Sequence, residues 1–341
     1  VADISAGALH IQSFEKERGW EMRLRIISVM MWLICLSAMF SSCRQRELCY
    51  DHSHYSPVSV VFDWSRCPDA EPATMVVWFF PAEGGAGRRY EIIPGGDTSR
   101  GGSEFNTVLK VAPGSYRVIC HNGETENNLE DGDTFFSYRI HTGDDVLLSP
   151  MNRSDNAPCP DGCDTQPVKT EASTLYAHTY PSVVSVAASA GTPVEVRFAP
   201  EEVTCVWNVT ITGIENLMPG VEASGVVTGA AECWSHADEA TSGEDVMVPF
   251  PLSQYGGDCL KGKVTLFGVK ERDDMPHKLR VYTSYKYYYD FDITDQVRNA
   301  PDSHHIEIML HGIKLPDPQG GNGMSPGVSD WGDTEDVEIK M

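Results

Sequence analysis

The stretch PVSVVFDW, Pro57 to Trp64, sets Val58, Val60, Phe62 and Trp64 on one side of an extended chain, with Ser59 and Asp63 on the other. A period of two is the signature of a strand with one buried face. The pattern recurs outward from it. TMVVWFF, Thr74 to Phe80, is apolar on both faces and predicts a central strand. TVLKVAPGSYRVIC, Thr107 to Cys120, reads as two strand patterns around Ala112-Pro113-Gly114-Ser115. Proline presets φ there and glycine frees it, so a hairpin is expected. Further on, Val194, Val196 and Phe198 alternate with Glu195 and Arg197, and Trp207, Val209 and Ile211 with Asn208, Thr210 and Thr212.

KVTLFGV, Lys263 to Val269, continues the series, followed by KLRVYTSYKYYYDFDI, Lys278 to Ile293. In that run Leu279, Val281, Tyr285, Tyr287, Tyr289, Phe291 and Ile293 are expected to share one face. Ile306, Ile308 and Leu310 close the set. Gly213 to Ala240, rich in small residues, reads equally as a short helix or a loop. Many short strands between regular turn signals predict an all-β chain of two tandem antiparallel β-sandwiches. Met151 to Thr170, rich in Pro, Asp and Asn and without periodicity, is the expected linker. The domains are placed at residues 43–165 and 166–341, the second ending in a strand that carries Val337, Ile339 and Met341.

Ahead of these lies Met22-Arg23-Leu24-Arg25, a mostly apolar stretch from Ile26 to Phe40, and Phe40-Ser41-Ser42-Cys43. A spanning helix needs roughly 20 apolar residues, more than this stretch provides. A basic start, a short apolar core and a small-residue exit are the parts of a secretory signal. The exit resembles a bacterial lipobox, with Phe40 where leucine is usual, which makes Cys43 the expected lipid-attachment residue. Residues 22–42 are then the lipoprotein signal peptide, and residues 1–21 an over-extended start. Two or more acyl chains hold a folded domain on a membrane without a transmembrane helix. Arg44 follows the cysteine, so the outer membrane is expected, with the chain facing the cell surface rather than the periplasm.

The chain has 341 residues and a formal net charge of −23. That excess repels phosphate backbones and argues against nucleic acid as a partner. Beyond Cys43 lie Cys49, Cys67, Cys120, Cys159, Cys163, Cys205, Cys233 and Cys259. An even number in an exported chain permits disulfides. Cys159-Pro-Asp-Gly-Cys163 is the local candidate, and the others read equally as buried free thiols.

Cys49, Asp51, His52 and His54 bring metal-ligand types close together. On an extended chain His52 and His54 face away from Cys49 and Asp51. A tetrahedral site wants convergence from separate segments, here a turn or a partner such as His304-His305. A polar leader into the first strand is the preferred reading, with His52 and His54 kept as weak metal candidates. Asp290, Asp292 and Asp295 lack the glycine and closing glutamate of an EF-hand and are read as a strand's solvent face and a turn. No Gly-x-Ser-x-Gly, His-Glu-x-x-His, P-loop or dinucleotide fingerprint is present. No catalysis and no cofactor are therefore expected. The tyrosines from Tyr282 to Tyr289 are core on one side, with a sugar-stacking platform as the alternative.

ELCYDHSH, VSVVFDW, ATMVVWFFPAEGG, VAPGSYRVICHNGETE, VWNVTITGIENLMPGVEASGVVTGAAECW, DITDQVRNAPDSHHIEIMLHGIKLP and VSDWGDTEDVEIKM together resemble a group of lipoproteins from Bacteroides and relatives with no assigned activity. By architecture that group is similar to the fimbrillin-like superfamily of Bacteroidetes, which includes anchor and accessory subunits of fimbriae. The resemblance implies transthyretin-like β-sandwiches, a lipid on Cys43, no catalysis, and partners among fimbrial subunits joined by strand pairing. It also makes CYDHSH part of the junction before the first strand. In such pairing a donated strand satisfies an exposed edge. Val337, Ile339 and Met341 have the alternation for it, and pairing within their own second domain is the preferred reading. A glycan-binding surface lipoprotein is the alternative function.

Overall fold

The computed structural model describes residues 55–93, 106–123, 125–154, 156–188, 192–270, 276–316 and 331. The leader, Cys43, His52, His54 and the tail positions Val337, Ile339 and Met341 lie outside the described residues. The described chain is almost wholly strand: β1 (Ser56–Phe62), β2 (Thr74–Pro81), β3 (Arg88–Ile92), β4 (Asn106–Val111), β5 (Gly114–Gly123), β6 (Asn128–Asp131), β7 (Arg139–Thr142), β8 (Tyr176–Thr179) and β9 (Val184–Val186). There follow β10 (Val194–Phe198), β11 (Glu201–Glu202), β12 (Cys205–Glu215), β13 (Ala223–Ser235), β14 (Ala240–Gln254), β15 (Leu260–Leu266), β16 (Lys278–Thr283), β17 (Tyr288–Asp292), the single-turn helix α1 (Thr294–Arg298) and β18 (His305–Lys314).

The first sandwich packs a three-stranded sheet, in the order β10-β1-β4, on the sheet β11-β8-β5-β2-β3, with β9 alongside β5. Val58, Val60 and Phe62 of β1 meet Met75, Val77 and Phe79 of β2 and Val196 and Phe198 of β10 in one buried cluster. The apolar doubling of β2 has a physical cause. Val77 and Phe79 point into this sandwich, while Trp78 and Phe80 point out of it into a second cluster with Tyr138, Ile140, Leu175 and Phe267.

The expected hairpin at Ala112–Ser115 is corrected. β4 pairs with β1 and β5 with β2, so the turn is an arch that carries the chain from one sheet to the other. The Tyr116 hydroxyl braces it by donating to the Ala112 carbonyl at 2.9 Å. Periodicity identified both strands, but their partners are set by long-range packing that the turn sequence does not encode.

In the second sandwich one sheet runs β17-β16-β13-β14-β15-β12-β18. Apolar residues from all seven strands meet in one cluster around Trp207, Phe250, Val264, Val281, Phe291 and Ile308, so this sheet folds over its own core. The small-residue segment left between helix and loop contains the long strand β13, buried over most of its length on both faces. Its small residues are a packing requirement: a Cβ at Gly225 would come within 2.4 Å of the Phe250 ring. The tyrosine-rich run is also corrected. It turns at Ser284–Tyr287, where Lys286 adopts φ 61°, so it forms the two strands β16 and β17, paired antiparallel. Leu279, Val281, Tyr289, Phe291 and Ile293 do share the core face, whereas Tyr285 is exposed at the turn.

Pairing also crosses the expected boundary after residue 165. β10 lies parallel to β1, and β8 and β9 pair with β5. In the opposite direction, the β6–β7 hairpin joins the second sheet through β13. On these pairings we propose a division near Val203, with that hairpin as an exchange between the halves. The expected linker is docked: Arg280 of β16 donates to the Pro158 and Cys159 carbonyls at 3.1 and 2.7 Å, and the Tyr282 hydroxyl to Pro158 at 2.6 Å. Among the described residues no helix is long and apolar enough to cross a membrane.

Candidate functional site

Two features concentrate chemistry: a polar network between the sandwiches and the outer edge of the last strand. The network is built by strand alternation. In β5, Cys120 faces the first core while Ile119 and His121 face the junction. Glu130 enters from β6. Its carboxylate accepts from the Tyr138 hydroxyl at 2.8 Å, the Trp78 indole at 2.9 Å and Arg89 Nε at 3.1 Å. His121 Nε2 lies 2.8 Å from the Tyr138 hydroxyl and 3.9 Å from Glu130.

Burial alone would raise the Glu130 carboxyl. The His121 ring, the Tyr138 and Trp78 donors and Arg89 outweigh it and hold the group below its ordinary range. Burial lowers His121 and carries His236, 5.9 Å away ring to ring, well below the ordinary histidine range. Both rings are therefore neutral at neutral pH. The carboxylate's donors are all supplied by the protein, and the neighbouring Cys120 thiol is pushed well up by burial, which keeps it from acting as a nucleophile. The arrangement locks the two halves together; it presents no activated group to a substrate.

The outer edge of β18 is the second feature. β18 runs parallel to β12, and the Val206 amide donates to the His304 carbonyl at 2.7 Å. Strand alternation then turns the backbone groups of Glu307, Met309 and His311 away from β12. Of these, Met309 is capped. Its amide donates to Gln296 Oε1 at 2.8 Å, and its carbonyl accepts from Gln296 Nε2 at 3.2 Å. α1 thus holds a side-chain amide where a neighbouring strand's backbone would lie, a recognised way of guarding an edge. Among the described residues no strand pairs with this edge. The outward-facing Met309 side chain is 57% exposed.

The sequence-derived candidates fall as follows. Cys159 and Cys163 are both free thiols. Cys159 Sγ contacts Met247 Sδ at 3.6 Å, and Cys163 turns toward the Asp161 carbonyl. Cys120, Cys205, Cys233 and Cys259 are buried thiols. His304 and His305 occupy the start of β18, where His304 Nδ1 faces the Thr204 carbonyl at 3.1 Å and His305 pairs with Asp302. Among the described residues no group of three or more His, Cys, Asp or Glu is placed to hold a metal. Asp290 pairs with Arg280, Asp292 caps the Thr294 amide at 2.9 Å, and Asp295 opens α1. Trp331 packs edge-on against Tyr282, with 5.4 Å between ring centroids. Sequence reasoning missed the Glu130 network and the Gln296 cap. Each joins elements that only the folded topology brings together.

The fold is similar to that of two candidate adhesins from Bacteroides ovatus. One is 16% identical, with a TM-score of 0.54 over 81% of this chain and 99% of that one. The other is 11% identical, with a TM-score of 0.50 over 75% and 88%. The fimbrial anchor protein Mfa2 from Porphyromonas gingivalis is 14% identical, with a TM-score of 0.48 over 75% and 91%. No curated protein matches the chain. The model of the DUF5119 family, a domain of unknown function, matches residues 42–251. That is more than half of the sequence, and the chain belongs to this family.

Proposed function

We propose that this chain is an outer-membrane lipoprotein, anchored through lipid on Cys43, that serves as a fimbrial-type anchor or accessory subunit in adhesion or surface assembly, without catalysis. The observation that carries the reading is the fold shared with a candidate adhesin over 99% of that protein's length. Two further features support it. The lipobox-like Phe40-Ser41-Ser42-Cys43 lies where the family match begins, at residue 42. An edge strand guarded by a single side-chain amide offers a place for a further strand to add.

The tail segment with Val337, Ile339 and Met341 is read as pairing within its own chain, as in a subunit that ends a fibre. The contact of Trp331 with Tyr282 supports that reading, because it brings the chain back to its own second sandwich shortly before Val337. The surface-facing orientation belongs to the same proposal.

The test is metabolic labelling with an alkyne palmitate analogue in a Bacteroides host, followed by membrane fractionation. Wild type should carry label and sediment with the outer membrane, and Cys43→Ala should be unlabelled and soluble. Unlabelled wild type, or a Cys43→Ala chain that keeps its label, would refute the anchor.

A further inference from the structure

Strand alternation gives β13, β14 and β16 a second face, turned away from the main core of their sheet, and sulfur is concentrated there. Val227, Val248 and Val281 face that core, whereas Val226, Met247 and Tyr282 face the other way. Met247 is buried in one cluster with Met151 and Cys163, and the half-buried Cys159 packs against it. Cys159 Sγ lies 3.6 Å from Met247 Sδ. The turn Pro160–Cys163 sets the two cysteines close in space. It is closed by the Cys163 amide, which donates to the Pro160 carbonyl at 3.0 Å, with Gly162 at φ 75°. Arg280 holds the turn's leading end through the Pro158 and Cys159 carbonyls, and Lys278 Nζ donates to the Asp161 carbonyl at 2.8 Å. The turn is thus fixed to β16 through backbone carbonyls, and that anchoring uses neither thiol.

Packing alone accounts for a methionine or a free cysteine in a core. A cluster of two thiols and a thioether is also a set of metal donors. Two sulfurs bound to one ion at about 2.3 Å each stand roughly 3.3–4.6 Å apart, and the Cys159–Met247 pair falls within that span. Cys163 Sγ rests 3.9 Å from the Asp161 carbonyl, too long a contact to hold the thiol against turning to an ion. Among the described residues no carboxylate or imidazole joins the two cysteines in a group of three. Zinc, which takes four ligands from thiolate, imidazole and carboxylate, is therefore poorly served. Soft thiolate and thioether donors select copper(I) instead. Burial, with Asp164 and Cys163 behind it, pushes the Cys159 thiol up, and the Arg280 guanidinium pulls the other way. The free thiol is protonated at neutral pH, so metal uptake displaces its proton. Arg280, 1% exposed and bonded to the Cys159 carbonyl, is placed to favour the thiolate that results.

We propose that Cys159, Cys163 and the Met247 thioether are the ligands of a copper(I) site, with Met151 as a further sulfur in its wall. The half-buried Cys159 is the point of entry. The site is independent of the anchor on Cys43 and stands or falls without it.

The experiment is an anaerobic titration of the reduced mature chain with copper(I), in competition with the chelator bicinchoninate. Cys159→Ser and Cys163→Ser should each remove one bound equivalent, while Cys67→Ser, a free cysteine outside the cluster, should keep it. Met247→Leu preserves the core volume and with it the fold. A lost ligand should cost at least as much as a lost outer partner of a ligand, so this variant should weaken binding about tenfold or more. Affinity should rise with pH, because binding releases protons. Four results would each overturn the proposal. One is no copper bound beyond that held by Cys159→Ser. Another is unchanged affinity in Met247→Leu, which would reduce the site to a bare thiol pair. The third is zinc bound in preference to copper(I). The last is a Cys159–Cys163 disulfide throughout the chain when it is taken from the cell envelope without reductant.

Discussion

Trp78 and Trp234 lie on either side of the junction between the sandwiches and treat their indole N–H groups in opposite ways. Trp78 donates to Glu130 at 2.9 Å, inside a network where Tyr138 and Arg89 serve the same carboxylate. The Trp234 indole nitrogen is buried and has no hydrogen-bond partner among the described residues. The difference separates two uses of a buried polar group. Where every partner comes from the protein, the group holds the fold together. Where no partner is supplied, the group carries the cost of an unanswered buried donor.

The comparison is tested most severely at Glu130. Glu130→Ala strands the Trp78 N–H and Arg89 Nε and leaves the Tyr138 hydroxyl with His121 alone, and should lower unfolding free energy by about 3 kcal/mol in a urea titration. Next comes the tryptophan pair. Trp78→Phe should cost about 1–2 kcal/mol more than Trp234→Phe, because only the first loses a hydrogen bond. Equal costs would erase the distinction drawn between the two indoles.

A pH titration gives a smaller effect. His121 and His236 are neutral when folded because burial lowers both, whereas unfolded imidazoles take protons near pH ~6.5. Below that pH the unfolded chain binds more protons, so stability should fall as pH drops from about 6.5 toward the folded-state values. Above it, the contribution of these two rings should be level. His121→Gln combined with His236→Gln should make that part of the profile shallower, the remaining slope coming from His178 and His277, which burial also lowers. The smallest change is expected for Gln296→Ala, which uncaps Met309 on an exposed edge and should cost under about 1 kcal/mol in a thermal melt.

Much of the strand content was legible in the sequence. Val58, Val60 and Phe62, or Ile306, Ile308 and Leu310, announce a buried face by spacing alone, and all six are buried. Partnership was less legible. The Ala112–Ser115 turn has hairpin chemistry yet joins two sheets, because the choice between pairing and crossing rests on which distant strand completes the core. β13 was unreadable because its glycines and alanines carry no periodic signal. They are small to admit Phe250 and its neighbours. The Glu130 network draws on β2, β3, β5, β6 and the β6–β7 turn, and no local pattern links those positions.

The anchoring account is tested most directly by protease shaving of intact cells that express the wild-type chain in a Bacteroides host, with a periplasmic protein as internal control. The proposed surface lipoprotein predicts that external protease removes the chain while the control survives, and that Cys43→Ala is no longer found among the shaved surface proteins. A wild-type chain that resists protease until the outer membrane is permeabilised would contradict the surface assignment and, with it, the role in adhesion.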